Sequence, residues 1–545
     1  MRPVEVFHNG TTNVRAGTKN DIADIKTPKI SEDVMQILNF IDGKWVSPST
    51  GEFITSNSPI NQKPIARVPA SAKADMDLAI ASAKAAFPSW SSEFVSNRVE
   101  YMLKLANLME ENKELLVHYE TIDTGTMESF NRNENIDMCI KSLRQCAGYF
   151  KARLARPMSV IVSGDLGILP ESLKTKEAMN LTYREPIGVA VIYSPCTVPL
   201  LHMMWKVAAC LAVGNTCVCK PHHLTSTSSM ILSTLIKKAG IPDGVVNIVF
   251  GEDDPVSEDL GTNKDVSAIS MMGSTTCFPA VLPQATLAFK RTEVEFAGNN
   301  PAIIFDDCDI DECVNGSLRS CFLNKGEICT CTRRLYIHSS IYAEFLERFK
   351  KAIREQIKIG DPRRSDISYG PFVSKMLVEK IKSYITLARE EGANVDIVLN
   401  EEQEADSSIK ISDPNDGSLE VEGCYGEHFI APTIITGLKD DSLVAKDYYF
   451  SPVLSVFSFD DEDEVIRRAN DVRYILGTTI WSKDPKRLER VSKQIDTGFV
   501  WYNNWYLRDM SIPFGGHIAY GSGKSGADDI FEFYTKGRTI SSLIP

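Results

Sequence analysis

Ile187-Gly188-Val189-Ala190-Val191-Ile192 is a short β-branched run, and three more apolar runs follow it at residues 216–219, 245–250 and 266–271. The intervals are too long for hairpins. Residues 200–212 and 225–239 fill two of them with the length and 3.6-residue periodicity of helices. Strands alternating with helices predict right-handed βαβ units and a parallel sheet covered on both faces.

A second alternating block begins near Ala302. It has an apolar stretch at 302–305, a strand at 335–337, and a helix with Ile341, Phe345, Phe349 and Ile353 on one face. The two α/β units therefore meet around residue 295. Upstream, Ala79, Ile80, Ala83 and Phe87 recur at helical spacing after Asp75, and Met102, Leu103, Leu105, Ala106 and Leu108 continue an apolar helical face. Residues 1–38 are polar and aperiodic and read as a flexible tail, with structure starting at Phe40. The stretch 401–426 is rich in Asp, Glu, Ser, Gly and Asn and reads as a surface insertion.

Composition narrows the function. The 545 residues are 43% hydrophobic and 24% charged, the make-up of a globular protein with room for more than one domain. A net charge of −13 without a long basic run argues against nucleic acid or anionic lipid as partner. The longest apolar run, 186–204, is broken by Pro195 and Pro199 and carries His202, so no membrane span is expected. The first residues lack an apolar targeting core, and the 13 cysteines are scattered without paired CxxC elements. These features predict reduced thiols, no metal, and a cytoplasmic location.

Two residues stand out chemically. Cys329 lies in Asn324-Lys325-Gly326-Glu327-Ile328-Cys329-Thr330-Cys331, behind a glycine that permits close backbone approach. It reads either as a nucleophile or as a buried structural thiol. Glu295 lies in Val294-Glu295-Phe296-Ala297-Gly298-Asn299-Asn300-Pro301, at the border of the two units. An acid among apolar residues there reads either as a general base or as a salt-bridged strand end.

Separated motifs tie these residues to a family. Phe40-Ile41-Asp42-Gly43-Lys44-Trp45, Ala86-Phe87-Pro88-Ser89-Trp90, Gly214-Asn215-Thr216, Lys220-Pro221, Val245-Val246-Asn247-Ile248-Val249, the Cys329 segment and Pro513-Phe514-Gly515-Gly516 together resemble the aldehyde dehydrogenase superfamily, from about residue 39 onward. Within it the chain is most similar to a branch that oxidises semialdehydes. The resemblance implies an α/β fold with a Rossmann-type dinucleotide-binding domain (39–156 and 185–294), an α/β catalytic domain (295–510) and a β-hairpin oligomerisation element (157–184 and 511–545). It further implies a homodimer or homotetramer that oxidises a small aldehyde to the acid. Cys329 would be the nucleophile, Glu295 the base that activates water, and Thr197 the oxyanion donor where the family has Asn. NAD, with NADP as the other candidate, would be held by Ser194, Pro195, Lys220, Gly251, Gly273, Ser274 and Phe450. Arg132 and Arg508 would clamp substrate carboxylates.

The chain also departs from the family pattern. His223 replaces a ribose-binding Glu, Asp253 and Ser257 replace loop glycines, Phe278 replaces a further glycine, Asn299 replaces a Lys, and Tyr448 replaces a second ribose-binding Glu. Cys329 and Glu295 favour an enzyme. The departures favour a rival reading, a pseudoenzyme that keeps the fold and acts as a binding or regulatory protein.

Overall fold

A computed structural model describes residues 34–154, 158–162, 178–257, 259–273, 281–405, 407–448, 450–509, 511–517, 523 and 525–543. The expected tail up to residue 33, the tip of the expected hairpin (163–177), Ser274 and Phe278 lie outside the described residues. The packed chain starts earlier than Phe40. Met35 and Ile37 are buried, and Met35–Gln36 pairs in parallel with Ala66 and Arg67.

The first unit is a seven-stranded sheet in the order Arg291–Glu295, Val266–Met272, Val189–Ser194, Thr216–Pro221, Val246–Ile248, Asn39–Ile41, Lys44–Val46. Its first five members run parallel. Ala190 and Ile192 pack into the core on one face, while Val189, Val191 and Tyr193 pack into the core on the other. Burial on both faces is why this strand reads as an unbroken apolar run. The helix Pro199–Val213 is apolar all round because it is buried all round.

Arg291–Glu295 ends the first sheet and Asn300–Ile304 starts the second. That second sheet also has seven strands, ordered Asn394–Ile397, Thr433–Thr436, Val453–Phe459, Thr332–His338, Asn300–Ile304, Gly477–Trp481, Phe499–Tyr502, with only the first antiparallel. The 401–426 insertion is folded: the hairpin of Ile409–Asp413 and Ser418–Val421 turns Ile409 and Leu419 into the core and leaves Lys410 and Glu420 in solvent.

A third sheet joins Thr535–Leu543, Ala178–Pro186 and Met158–Val162, all antiparallel. The expected unit 511–545 is not wholly part of it. Ile530, Phe531 and Tyr534 belong to the core of the first unit, because Ala527–Tyr534 is a helix whose apolar side packs there. No helix among the described residues is long and apolar enough to cross a membrane.

Candidate active site

In the first sheet the strand order reverses between Val189–Ser194 and Val266–Met272, so a crevice opens beyond their carboxyl ends. Ser194 and Pro195, Lys220, Gly251 and Gly273 stand at the ends of four successive parallel strands and are brought to this one edge. The Ser194 hydroxyl is buried without a hydrogen-bond partner among the described residues. At Gly251, φ is 142° and an added Cβ would lie 3.1 Å from the Ser71 amide nitrogen, so the backbone stays bare. An orphaned hydroxyl and bare backbone at a switch point suit a dinucleotide. Lys220 Nζ is 2.5 Å from Asp253 Oδ1, and the His222 and His223 rings stack at 4.5 Å. Phe450 belongs to the second unit and packs edge-on against Tyr448.

Cys329 follows a turn in which Asn324, Lys325 and Gly326 all have positive φ. A Cβ at Gly326 would lie 2.3 Å from the Ser451 carbonyl oxygen, so this position requires glycine. The turn is fixed downstream as well. Asn300 Nδ2 donates to the carbonyls of Cys329 (2.9 Å) and Cys331 (3.0 Å), and Trp505 Nε1 donates to that of Thr330 (3.1 Å). Burial pushes the Cys329 thiol up to about 12; Arg508 pulls it down and Glu295 pushes it further up. Cys331 is fully buried, with its thiol toward the Leu323 carbonyl.

Glu295 ends its strand in a buried charge cluster, as the salt-bridged reading expects, but the partners that form it were not named by the sequence. Its Oε1 receives Lys206 Nζ and the Ser525 hydroxyl, while Oε2 is buried without a partner among the described residues. Lys206 also pairs with Glu293 at 2.9 Å, and Ser270 donates to the other Glu293 oxygen at 2.7 Å. Burial raises the Glu293 carboxyl, and Lys206 only partly offsets it. For Lys206, burial lowers the ammonium and the two carboxylates more than restore it. The visible signal was Lys206 itself, the single charge in an otherwise apolar helix.

Thr197 is buried and precedes Val198, a β-branched residue held at φ 48°, a strained conformation that starts the helix Pro199–Val213. Its carbonyl lies 3.0 Å from His202 Nδ1, and burial holds His202 down at about 4, so that ring is neutral. Val198, His202, Ile328, Cys329, Tyr506 and Arg508 line one pocket. The Arg508 guanidinium is sandwiched between the rings of Trp205 (3.5 Å) and Phe514 (3.6 Å). Arg132 is not among the pocket-lining residues, contrary to expectation. Its Nη2 lies 2.7 Å from Glu114 and 3.5 Å from Glu128, and this pair of carboxylates holds it away. Its neighbours Glu134 and Asn135 face the pocket instead.

The model for the aldehyde dehydrogenase family matches residues 45–540. The chain is similar to 2-aminomuconic semialdehyde dehydrogenase of Homo sapiens, with 37% identity over 93% of this chain and 98% of that protein. It is also similar to 2-hydroxymuconic semialdehyde dehydrogenase of Pseudomonas sp. (strain CF600), with 32% identity over 93% and 99% of the two chains. Among solved structures, the NAD+ complex of aldehyde dehydrogenase from Bacillus cereus superposes with a TM-score of 0.84 at 28% identity, covering 94% of this chain and 97% of that one.

Proposed function

The chain belongs to the aldehyde dehydrogenase family, and from that premise we propose that it oxidises a carboxylate-bearing semialdehyde, such as 2-aminomuconic semialdehyde, to the acid with NAD. The observation that carries this reading is the shared pocket of Cys329 and Arg508, with Glu295 acting electrostatically on the same thiol. A cationic guanidinium beside a nucleophile suits an aldehyde that also bears a carboxylate.

The Cys329 thiol gives its proton to solvent water, and the sulfur then adds to the aldehyde carbon while the carbonyl π pair moves to oxygen, which becomes an oxyanion. The Cys329 backbone N–H and the Thr197 hydroxyl are its donors. Bound NAD supplies the acceptor for the hydride leaving that carbon, and Ser194, Pro195, Lys220, Gly251, Gly273, Ser274 and Phe450 would hold it. A thioester on Cys329 remains. Glu295 then removes a proton from water through Oε2, its other oxygen being anchored by Lys206 and Ser525, and the acid is released as Cys329 is restored. Free thiols at the described cysteines support a reducing, cytoplasmic setting.

Stopped-flow absorbance with intact-protein mass spectrometry tests the roles. Cys329→Ser is expected to lose both the first-turnover burst of reduced nicotinamide and the covalent adduct. Glu295→Gln is expected to keep the burst and trap the acyl thioester. A parent that turns over while the Glu295→Gln variant shows no adduct removes Glu295 as the deacylating base. A parent with no burst on any semialdehyde supports the silent binding protein instead.

A further inference from the structure

We propose that Asp253, held by Lys220, reads the adenosine ribose of the cofactor and sets the enzyme for NAD over NADP, an inference that rests on the dehydrogenase reading above. The sheet fixes which half of the cofactor comes here. Glu295 ends the edge strand Arg291–Glu295, and the order from that edge runs through Val266–Met272 and the reversal to Thr216–Pro221 and Val246–Ile248. The nicotinamide must reach the side of Glu295 and Cys329, so the adenosine half lies across the reversal, where Lys220 closes one strand and Asp253 follows the next.

Charge then decides which ribose is accepted. Lys220 is completely buried and its Nζ is neutralised by Asp253 at 2.5 Å, whereas the Asp253 side chain keeps 30% exposure. The carboxylate is therefore the member of the pair that a ribose meets. A 2′-hydroxyl can donate to it, whereas a 2′-phosphate brings like charge against it and finds the lysine already paired. Among the described residues no second cation is paired with Asp253. Burial pulls His222 and His223 below the ordinary histidine range, leaving both neutral at pH 7, and Glu252 adds a second acid nearby. The acid that meets the ribose is thus supplied from beyond the neighbouring strand Val246–Ile248, while His223 itself offers no carboxylate.

Calorimetric titration of NAD and NADP into the parent, Asp253→Asn and Asp253→Ser tests this without relying on turnover. The parent is expected to bind NAD at least about 30-fold more tightly than NADP, and both variants are expected to bring that ratio below about threefold, mainly by tightening NADP. Two similar variants guard against a local packing artefact. A parent that binds both nucleotides equally, or variants that keep the parent's ratio, overturns the role of Asp253 and leaves the dehydrogenase reading intact. A parent that binds neither nucleotide at millimolar concentration overturns both.

Discussion

Cys329 stands in surroundings that suppress its own ionisation, since burial lifts the thiol to about 12 and the Arg508 charge is the largest influence opposing that lift. Below its raised pKa the thiolate fraction grows about tenfold per pH unit, so alkylation by iodoacetamide should accelerate by that factor per unit between pH 7 and 10. In Arg508→Met the thiol should ionise at still higher pH, and alkylation should be slower at every pH in this window. A rate unchanged by the substitution would remove Arg508 as the electrostatic partner. The same variant should lose about 10²-fold in kcat/KM on a carboxylate-bearing semialdehyde but little on an uncharged aldehyde. Cys329 and Glu295 stood out in the sequence with two readings each, and only the family motifs spread along the chain, not the adjacent residues, favoured the chemical reading. Lys206 and Ser525 were not legible as partners, because they reach Glu295 from 89 and 230 residues away and no local pattern records such contacts. Removing that cation with Lys206→Met leaves two carboxylates buried against each other. We expect a loss of about 3–5 kcal/mol in denaturant unfolding, smaller at acidic pH, where protonation of Glu293 relieves the repulsion.

At the scale of elements, the strands and helices around the crevice were readable because their apolar periodicity is unmixed, as in Val189–Ser194 and Pro199–Val213. The turn before Cys329 was readable in one respect only. Gly326 announced a close approach, and the approach is to the Ser451 carbonyl of the second unit. The left-handed geometry of Asn324 and Lys325 carried no such signal, since neither residue demands it. The buried pair of Lys325 and Glu327, 2.9 Å apart, belongs to the same turn. Gly326→Ala would place a Cβ at φ 78° against Ser451, and either the turn opens or the fold strains. Stability should fall by about 1–3 kcal/mol, and the first-turnover burst should fall far more than cofactor affinity, because the displaced atom is the nucleophile rather than the crevice. Equal losses in both would mean that the turn is merely structural. Arg132 marks the opposite case: the family resemblance implied a place in the pocket, but Glu114, on the preceding helix Lys113–Thr124, holds its side chain elsewhere.

For the whole molecule, the third sheet is the element with least to do inside one chain. Thr535–Leu543 pairs with Ala178–Pro186 on one side only, and on the other side it presents an unpaired edge among the described residues. Met179 and Ile540 lie on one face of this sheet, since Ile540 faces Leu181 and Met179 faces Ser542, and they remain 45% and 51% exposed. An unpaired edge and an apolar face on the same small sheet are unfavourable in a monomer and natural in a symmetric assembly. We therefore expect a homodimer or homotetramer by light scattering. Ile540→Glu places a charge on the apolar face without touching the backbone pairing, so it should shift the protein toward the monomer while leaving the circular dichroism of the folded chain unchanged. The crevice, Cys329 and Glu295 all lie within one chain, so the dissociated variant should still bind NAD with an affinity close to the parent's. A parent that is monomeric, or an Ile540→Glu variant that stays fully assembled, would show that this face is not the contact between copies.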